Sequence, residues 1–200
     1  MEKETTKNRQ ATELNLINAV KEIIEESGFE GLGINAVAAK ANVSKMLIYR
    51  YFNSLDGLIA AYIQENDYWI NFDEKLPDKE HLAEFIKGMF KRQITALRES
   101  YTLKRLYRWE LVTDNKFVKE LRDKREEKGV WLVEAVSRLS GHPQKETAAV
   151  ASLITAAISY LALLEENCEV YNGLKMQQET GWQQLEEGIN LLTDLWLQKK

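Results

Sequence analysis

Cysteine is nearly absent from this 200-residue chain: Cys168 stands alone, so no internal disulfide can form. The N-terminus, MEKETTKNRQATEL, is polar and lacks the apolar core of a secretion signal, so the expected home is a reducing cytoplasm. Proline is as scarce. Two prolines leave long stretches free to be helical, because proline removes a backbone donor and clashes with the preceding turn. Histidine occurs only as His81 and His142, without metal-ligand spacing. Cys168 has no obvious base partner and there is no glycine-rich phosphate loop. The expectation is therefore a protein that is not an enzyme and has no cofactor and no metal site. Only Thr147 to Leu164 forms a long uncharged run, rich in Ala, Ser and Thr and closed by Glu165 and Glu166. A spanning helix wants about 20 apolar residues, so this run reads as a buried helix and no membrane partner is expected.

What is present is ordinary globular composition, 44% hydrophobic and 29% charged, with a net charge of −4 that excludes a generally basic nucleic-acid coat. Apolar residues recur at helical spacing almost throughout. The first helix runs from about Asn8 to Ser27, with Leu16, Ile17, Val20, Ile23 and Ile24 on one face and Gly28 closing it. A second, about Ile34 to Ala41, turns Ile34, Val37, Ala38 and Ala41 inward. Asn42-Val43-Ser44 makes a tight turn, and Ser44 caps a third helix, Lys45 to about Phe52, with Ile48 and Phe52 facing the core. Two short helices joined by three or four residues make a helix-turn-helix unit. Asn53-Ser54 breaks the chain before a fourth helix reaching about Trp69, followed by the loop Leu76-Pro77-Asp78. Further helices are expected over about Lys79–Glu99, Leu103–Val112 (broken by Asp114-Asn115), Lys116–Leu139, Gln144–Glu166 and Gln177–Leu197. The chain reads as all-α with about nine helices: a three-helix head over residues 1–54 and a larger helical domain over 55–200. No strand-like alternation is seen.

Gly28-Phe29, Val37-Ala38, Ala41-Asn42-Val43-Ser44, Ile48-Tyr49-Arg50-Tyr51-Phe52-Asn53-Ser54 and Leu58 closely resemble, in order and spacing, the DNA-binding signature of the TetR family. The resemblance covers about 50 residues; the remaining helices match in number, length and character. It implies a third helix lying in the major groove of double-stranded DNA, with Ser44, Lys45, Met46 and Leu47 leading it in. Tyr49 and Tyr51 would meet phosphates or sugars, and Arg50 bases or backbone. Met46 stands where the family usually has glycine and Leu47 where it has a small residue or threonine, so the groove contact is more apolar and suits thymine methyls. A lysine common near the start of the fourth helix is Leu55 here, and Leu32-Gly33 replaces a common threonine before the second. From Met1 to Leu58 there are seven basic and eight acidic side chains, so a shallow salt dependence is expected.

The helix from Val150 to Leu164 is apolar nearly all round, so it is expected to be covered on more than one side. Trp182, Leu185, Ile189, Leu192 and Trp196 recur at three- and four-residue steps on the last helix. The resemblance implies a homodimer built from these two helices of each subunit, with Leu153, Leu161, Trp182, Leu185, Ile189, Leu192 and Trp196 at the interface. It also implies a small-molecule effector. Phe85, Phe90, Tyr107, Trp109, Trp131 and Tyr160 are candidate walls for an apolar or aromatic ligand, and Glu110 a candidate polar contact, although exposure is the first expectation for that carboxylate. The charges from Lys116 to Lys128 alternate in sign and read as a solvated face. The function expected is that of a ligand-responsive regulator, a repressor, on palindromic operator DNA. The alternative is a dimeric ligand-binding or protein-docking module whose head no longer binds DNA.

Overall fold

In the computed structural model the backbone is described for residues 2–73, 75–112 and 116–198, and side chains for 8–73, 75–112 and 118–198. The expected break at Asp114-Asn115 and the side chains of Glu2, Lys3, Glu4, Lys7 and Lys116 lie outside the described residues. The described elements are α1 (Glu2–Ser27), α2 (Ile34–Lys40), α3 (Lys45–Phe52), α4 (Leu55–Asn66), α5 (Leu82–Glu99), α6 (Tyr101–Val112), α7 (Lys116–Ser140), α8 (Gln144–Leu164) and α9 (Glu179–Gln198). A 3-10 turn at Phe29–Gly31 and a two-residue hairpin, β1 (Val170–Tyr171) and β2 (Leu174–Lys175), complete them. The all-α reading holds.

The chain divides into two compact units. The first comprises Met1–Asn71 with Tyr101–Asp123, and the second Phe72–Ser100 with Lys124–Lys200. In the first, α1 packs against α2, α4 and α6, while α3 packs against α2 and α4. Its core is made by Leu16, Val20 and Ile24 of α1, Val37 and Ala38 of α2, Ala41, Ile48 of α3, and Leu58 and Ile63 of α4. Ile34 and Phe52, expected inside, are only half-buried. In the second unit α5 packs against both α8 and α9. Its inner stripe carries Leu82, Ile86, Met89, Phe90, Gln93, Ile94 and Leu97.

Helix ends differ from expectation where a side chain intervenes. α4 stops at Asn66 rather than near Trp69, because Asp67 turns extended and its carboxylate accepts from the Ile70 N–H at 3.0 Å. α5 starts at Leu82 rather than Lys79, because Asp78 accepts from the His81 N–H at 3.1 Å and holds residues 79–81 in a turn. The hairpin was not foreseen. Its strands are too short to show alternation, but Asn172 and Gly173 both take positive φ (50° and 86°), the Asn-Gly turn that closes two-residue hairpins.

α8 departs most from expectation. Its mean hydropathy of 1.9 over 18 residues is high enough, and its length great enough, to cross a membrane. Yet Ile154, Ile158, Leu161 and Ala162 are buried in the second unit, along the helix that α5 covers. The other side is not covered as expected: Ala149, Leu153, Ala156, Ala157 and Tyr160, spaced by three and four residues, are exposed in the single chain.

Candidate nucleic-acid interface

Local bonds set the position of α3. Asn42 takes a left-handed φ of 52°, and the Val43 N–H donates to the Ala38 carbonyl at 3.0 Å, closing the turn out of α2. The Ser44 Oγ then accepts from the Met46 N–H at 3.3 Å, satisfying one of the free donors at the start of α3. At the other end Asn53 is left-handed (φ 65°) and its N–H donates to the Tyr49 carbonyl at 3.0 Å. Ser54 caps α4 by accepting from the Gly57 N–H at 3.0 Å. A Cβ at Gly57 would stand 2.0 Å from the Phe52 carbonyl oxygen, so the α3–α4 corner requires glycine. The Asn15 side chain of α1 donates to the Ala41 carbonyl at 2.7 Å and anchors the turn from behind.

Held this way, α3 buries Ile48 completely and presents Lys45, Met46, Tyr49 and Arg50 outward. Met46 is 74% exposed and Tyr49 53%. Those positions recur at three- and four-residue steps and form one face. Ser44 is exposed, whereas Leu47 and Tyr51 are half-buried. Two guanidinium groups lie near the Tyr51 ring, that of Arg9 at 5.3 Å from its centre and that of Arg50 at 6.0 Å. Arg9 comes from α1, and sequence spacing gave no sign of it. It also pairs with Glu13 at 2.8 Å, a hydrogen bond that raises its pKa. Lys45 and Arg50 form no ion pair among the described residues. Lys40, in contrast, is held by Glu26 at 2.7 Å and Glu22 at 3.9 Å, its hydrogen bond to Glu26 raising its pKa. Lys21 lies 3.9 Å from Glu25. Among the described side chains of the near-neutral head, the cations of α3 thus stand without ion pairs, whereas Arg9, Lys21 and Lys40 meet acids of α1.

The residues proposed for the ligand divide between the units. In the first, Trp109 stacks on Phe29 (centroids 4.7 Å apart, planes 14°) and Tyr107 is half-buried. Trp109 also lines an open pocket of about 350 Å³ with Phe29, Tyr101, Arg105 and Arg108. Glu110 is buried, not exposed as expected; it sits on the inner side of α6, and Arg122 donates to its backbone carbonyl. In the second unit Phe90 is buried and Phe85 meets the edge of Phe72 at 6.3 Å. Trp131 is exposed beneath Lys128, and Tyr160 is exposed beside Tyr171. Gln93, passed over in the sequence, is buried on α5 with neither amide atom hydrogen-bonded.

The residues proposed for dimerisation also separate. Leu153 and Leu192 are exposed, Leu185 and Trp196 half-buried, and Leu161, Trp182 and Ile189 buried inside their own unit. The two tryptophans of α9 clamp α8 within the chain. Trp182 Nε1 donates to Glu165 at 3.1 Å and to the Met176 carbonyl at 2.8 Å. Trp196 stacks on His142 at 4.6 Å, and its Nε1 donates to Glu146 at 3.3 Å. The start of α9 thus meets the end of α8 and the reverse, so the pair runs antiparallel. The outward side of α9 carries Leu191 and Leu195 besides Leu192.

Comparison with known proteins places this geometry. Residues 16–62 match the family model of bacterial regulatory proteins of the tetR family. A TetR-like transcriptional regulator from Rhodococcus sp. RHA1 is 23% identical, with 94% of this chain and 97% of that chain covered and a TM-score of 0.55. An HlyIIR mutant protein carrying a GSSGSSG linker is 15% identical, with coverage of 92% and 95% and a TM-score of 0.58. At these identities the likeness is one of fold. No curated protein matches the chain.

Proposed function

We propose, from the premise that the chain is a member of the tetR family of bacterial regulatory proteins, that it is a cytoplasmic, homodimeric repressor. It binds palindromic operator DNA and is released by a small apolar or aromatic effector. The observation that carries this reading is the outward face of α3, where Lys45, Met46, Tyr49 and Arg50 stand exposed on a helix capped at both ends. A helix so presented fits the major groove, with Lys45 and Arg50 supplying charge and Met46 an apolar tip for a thymine methyl.

The dimer is supported by the outward faces of α8 and α9. Leu153, Ala156, Ala157 and Tyr160 on one helix, and Leu191, Leu192 and Leu195 on the other, leave more apolar side chain in water than a monomer gains from. Alanines at 156 and 157 allow close approach of a partner helix. The mates of a second copy would be these outward residues, with Trp182, Ile189 and Leu161 supporting them from inside. Two heads on a two-fold axis read two half-sites. A hundredfold loss of operator affinity on effector binding needs about 2.7 kcal/mol of differential affinity between the two states.

The test is selection of random duplex DNA by the purified protein. The expected outcome is a palindromic consensus, lost in the Tyr49→Ala/Arg50→Ala variant. Failure to enrich any sequence at low salt sinks the operator reading and favours a docking module with a degenerate head. Leu191→Glu is expected to convert the dimer to monomer in sedimentation. An unchanged mass would remove this face from the interface.

A further inference from the structure

We infer that Gln93 is the polar recognition group of a buried ligand site on α5, and that its ligand presents a neutral amide-like edge, an acceptor beside a donor. The inference rests on the ligand-responsive reading above and gives that ligand a chemistry.

Gln93 is 1% exposed, and both Oε1 and Nε2 are buried without a hydrogen-bond partner. It sits mid-helix on the inner stripe of α5, four residues from Met89 and from Leu97, both buried. The other buried polar side chains of this unit behave differently. Thr147 donates to the Pro143 carbonyl at 3.2 Å and Thr193 to the Ile189 carbonyl at 2.8 Å, each satisfied within its own helix end or turn. A buried amide without partners carries its full desolvation cost, whereas methionine of nearly the same shape carries none. An amide on such a stripe needs a compensating partner that the folded chain does not supply.

The chemistry of that partner follows from the inventory. Oε1 accepts and Nε2 donates, side by side in one plane. A single ligand edge with C=O next to N–H satisfies both at once, as an adenine edge does for glutamine in a DNA groove. The described buried side chains of this unit include no charged group, so an ionised ligand would lie there uncompensated. The class is therefore a primary amide, a lactam or the N–H/C=O edge of a heterocycle, on an otherwise apolar body that meets the stripe.

The experiment compares thermal melting of the wild-type protein, Gln93→Met and Gln93→Leu at one protein concentration. Each is measured alone, with benzamide, and with cumene, which keeps the shape of benzamide and lacks its amide edge. Without ligand, Gln93→Met is expected to melt roughly 2–8 °C above wild type, since the orphaned amide is gone. Benzamide is expected to raise the wild-type midpoint more than cumene does, and the order to reverse in Gln93→Met. If both variants melt below wild type, the amide is already satisfied in the folded protein and the inference is overturned. Benzamide stabilising wild type no better than cumene overturns it as well. DNA selection without any probe decides the regulator reading separately, so the two can fail independently.

Discussion

Most of the bonds that close the corners of the helix-turn-helix unit join near neighbours, with Asn15 to Ala41 the longer-range exception, whereas the second unit is joined by ion pairs between residues far apart in the chain. In the first, Ser44 reaches Met46, Asn53 reaches Tyr49 and Ser54 reaches Gly57. In the second, Lys87 of α5 reaches Asp194 of α9 at 2.7 Å, and Arg98 reaches Glu165 at 3.0 Å and Glu179 at 2.7 Å. Arg98 also lies 4.8 Å from the Trp182 ring. Burial opposes the charge of Arg98, but the hydrogen bonds of its two carboxylates outweigh that and raise its pKa. Local closure fixes the corners of the head through bonds within one or two turns. Long-range closure makes a unit whose helices are coupled through a few shared groups.

Trp182→Ala should produce the largest loss, about 3–5 kcal/mol in chemical denaturation, because one side chain fills the core and bonds both Glu165 and Met176. A loss below 1 kcal/mol would mean that the α8–α9 clamp is not set by this residue. Next is Gly57→Ala, expected to cost about 1–3 kcal/mol despite alanine's better helix propensity, since the new methyl meets the Phe52 carbonyl. A gain in stability would show that the corner can open. Ser44→Ala should cost about 1 kcal/mol and weaken DNA binding through a frayed α3, both readable from one titration series. Stability lost with DNA affinity untouched would separate the cap from the reading face.

The smallest effect concerns pH. The His81 ring lies 2.6 Å from Asp78, and that hydrogen bond raises the histidine pKa above 6.5 while lowering that of the aspartate below 3.8. The histidine's contribution is full below 6.5 and disappears as pH rises through its folded value. The aspartate's is present above 3.8 and disappears as pH falls through its own folded value. Proton NMR should find His81 titrating above its ordinary value and returning to it in Asp78→Asn. A midpoint unmoved by that substitution would remove the pair.

The head was largely legible in the sequence because its signals are local. Asn42-Val43-Ser44 and Asn53-Ser54 state the turns, and Ile48 and Leu58 the core. Arg9 was not legible as a neighbour of Tyr51, since 42 residues separate them and only the packing of α1 brings them together. In the second unit, three- and four-residue steps on α9 announced a buried stripe without naming what buries it. Trp182 and Ile189 were assigned to a partner copy, yet the chain's own core takes them. Glu110 was expected in water because it is charged, and α6 turns it inward.

By itself the sequence determined the helix content and the turns and caps of the head, because these depend on residues within one or two turns of each other. Only the tertiary structure decided which side of α8 and α9 remains open, which tryptophans clamp them, and that Gln93 is buried without a partner. Helical periodicity fixes an angle around an axis; what lies at that angle depends on contacts between segments tens of residues apart, which no local pattern encodes.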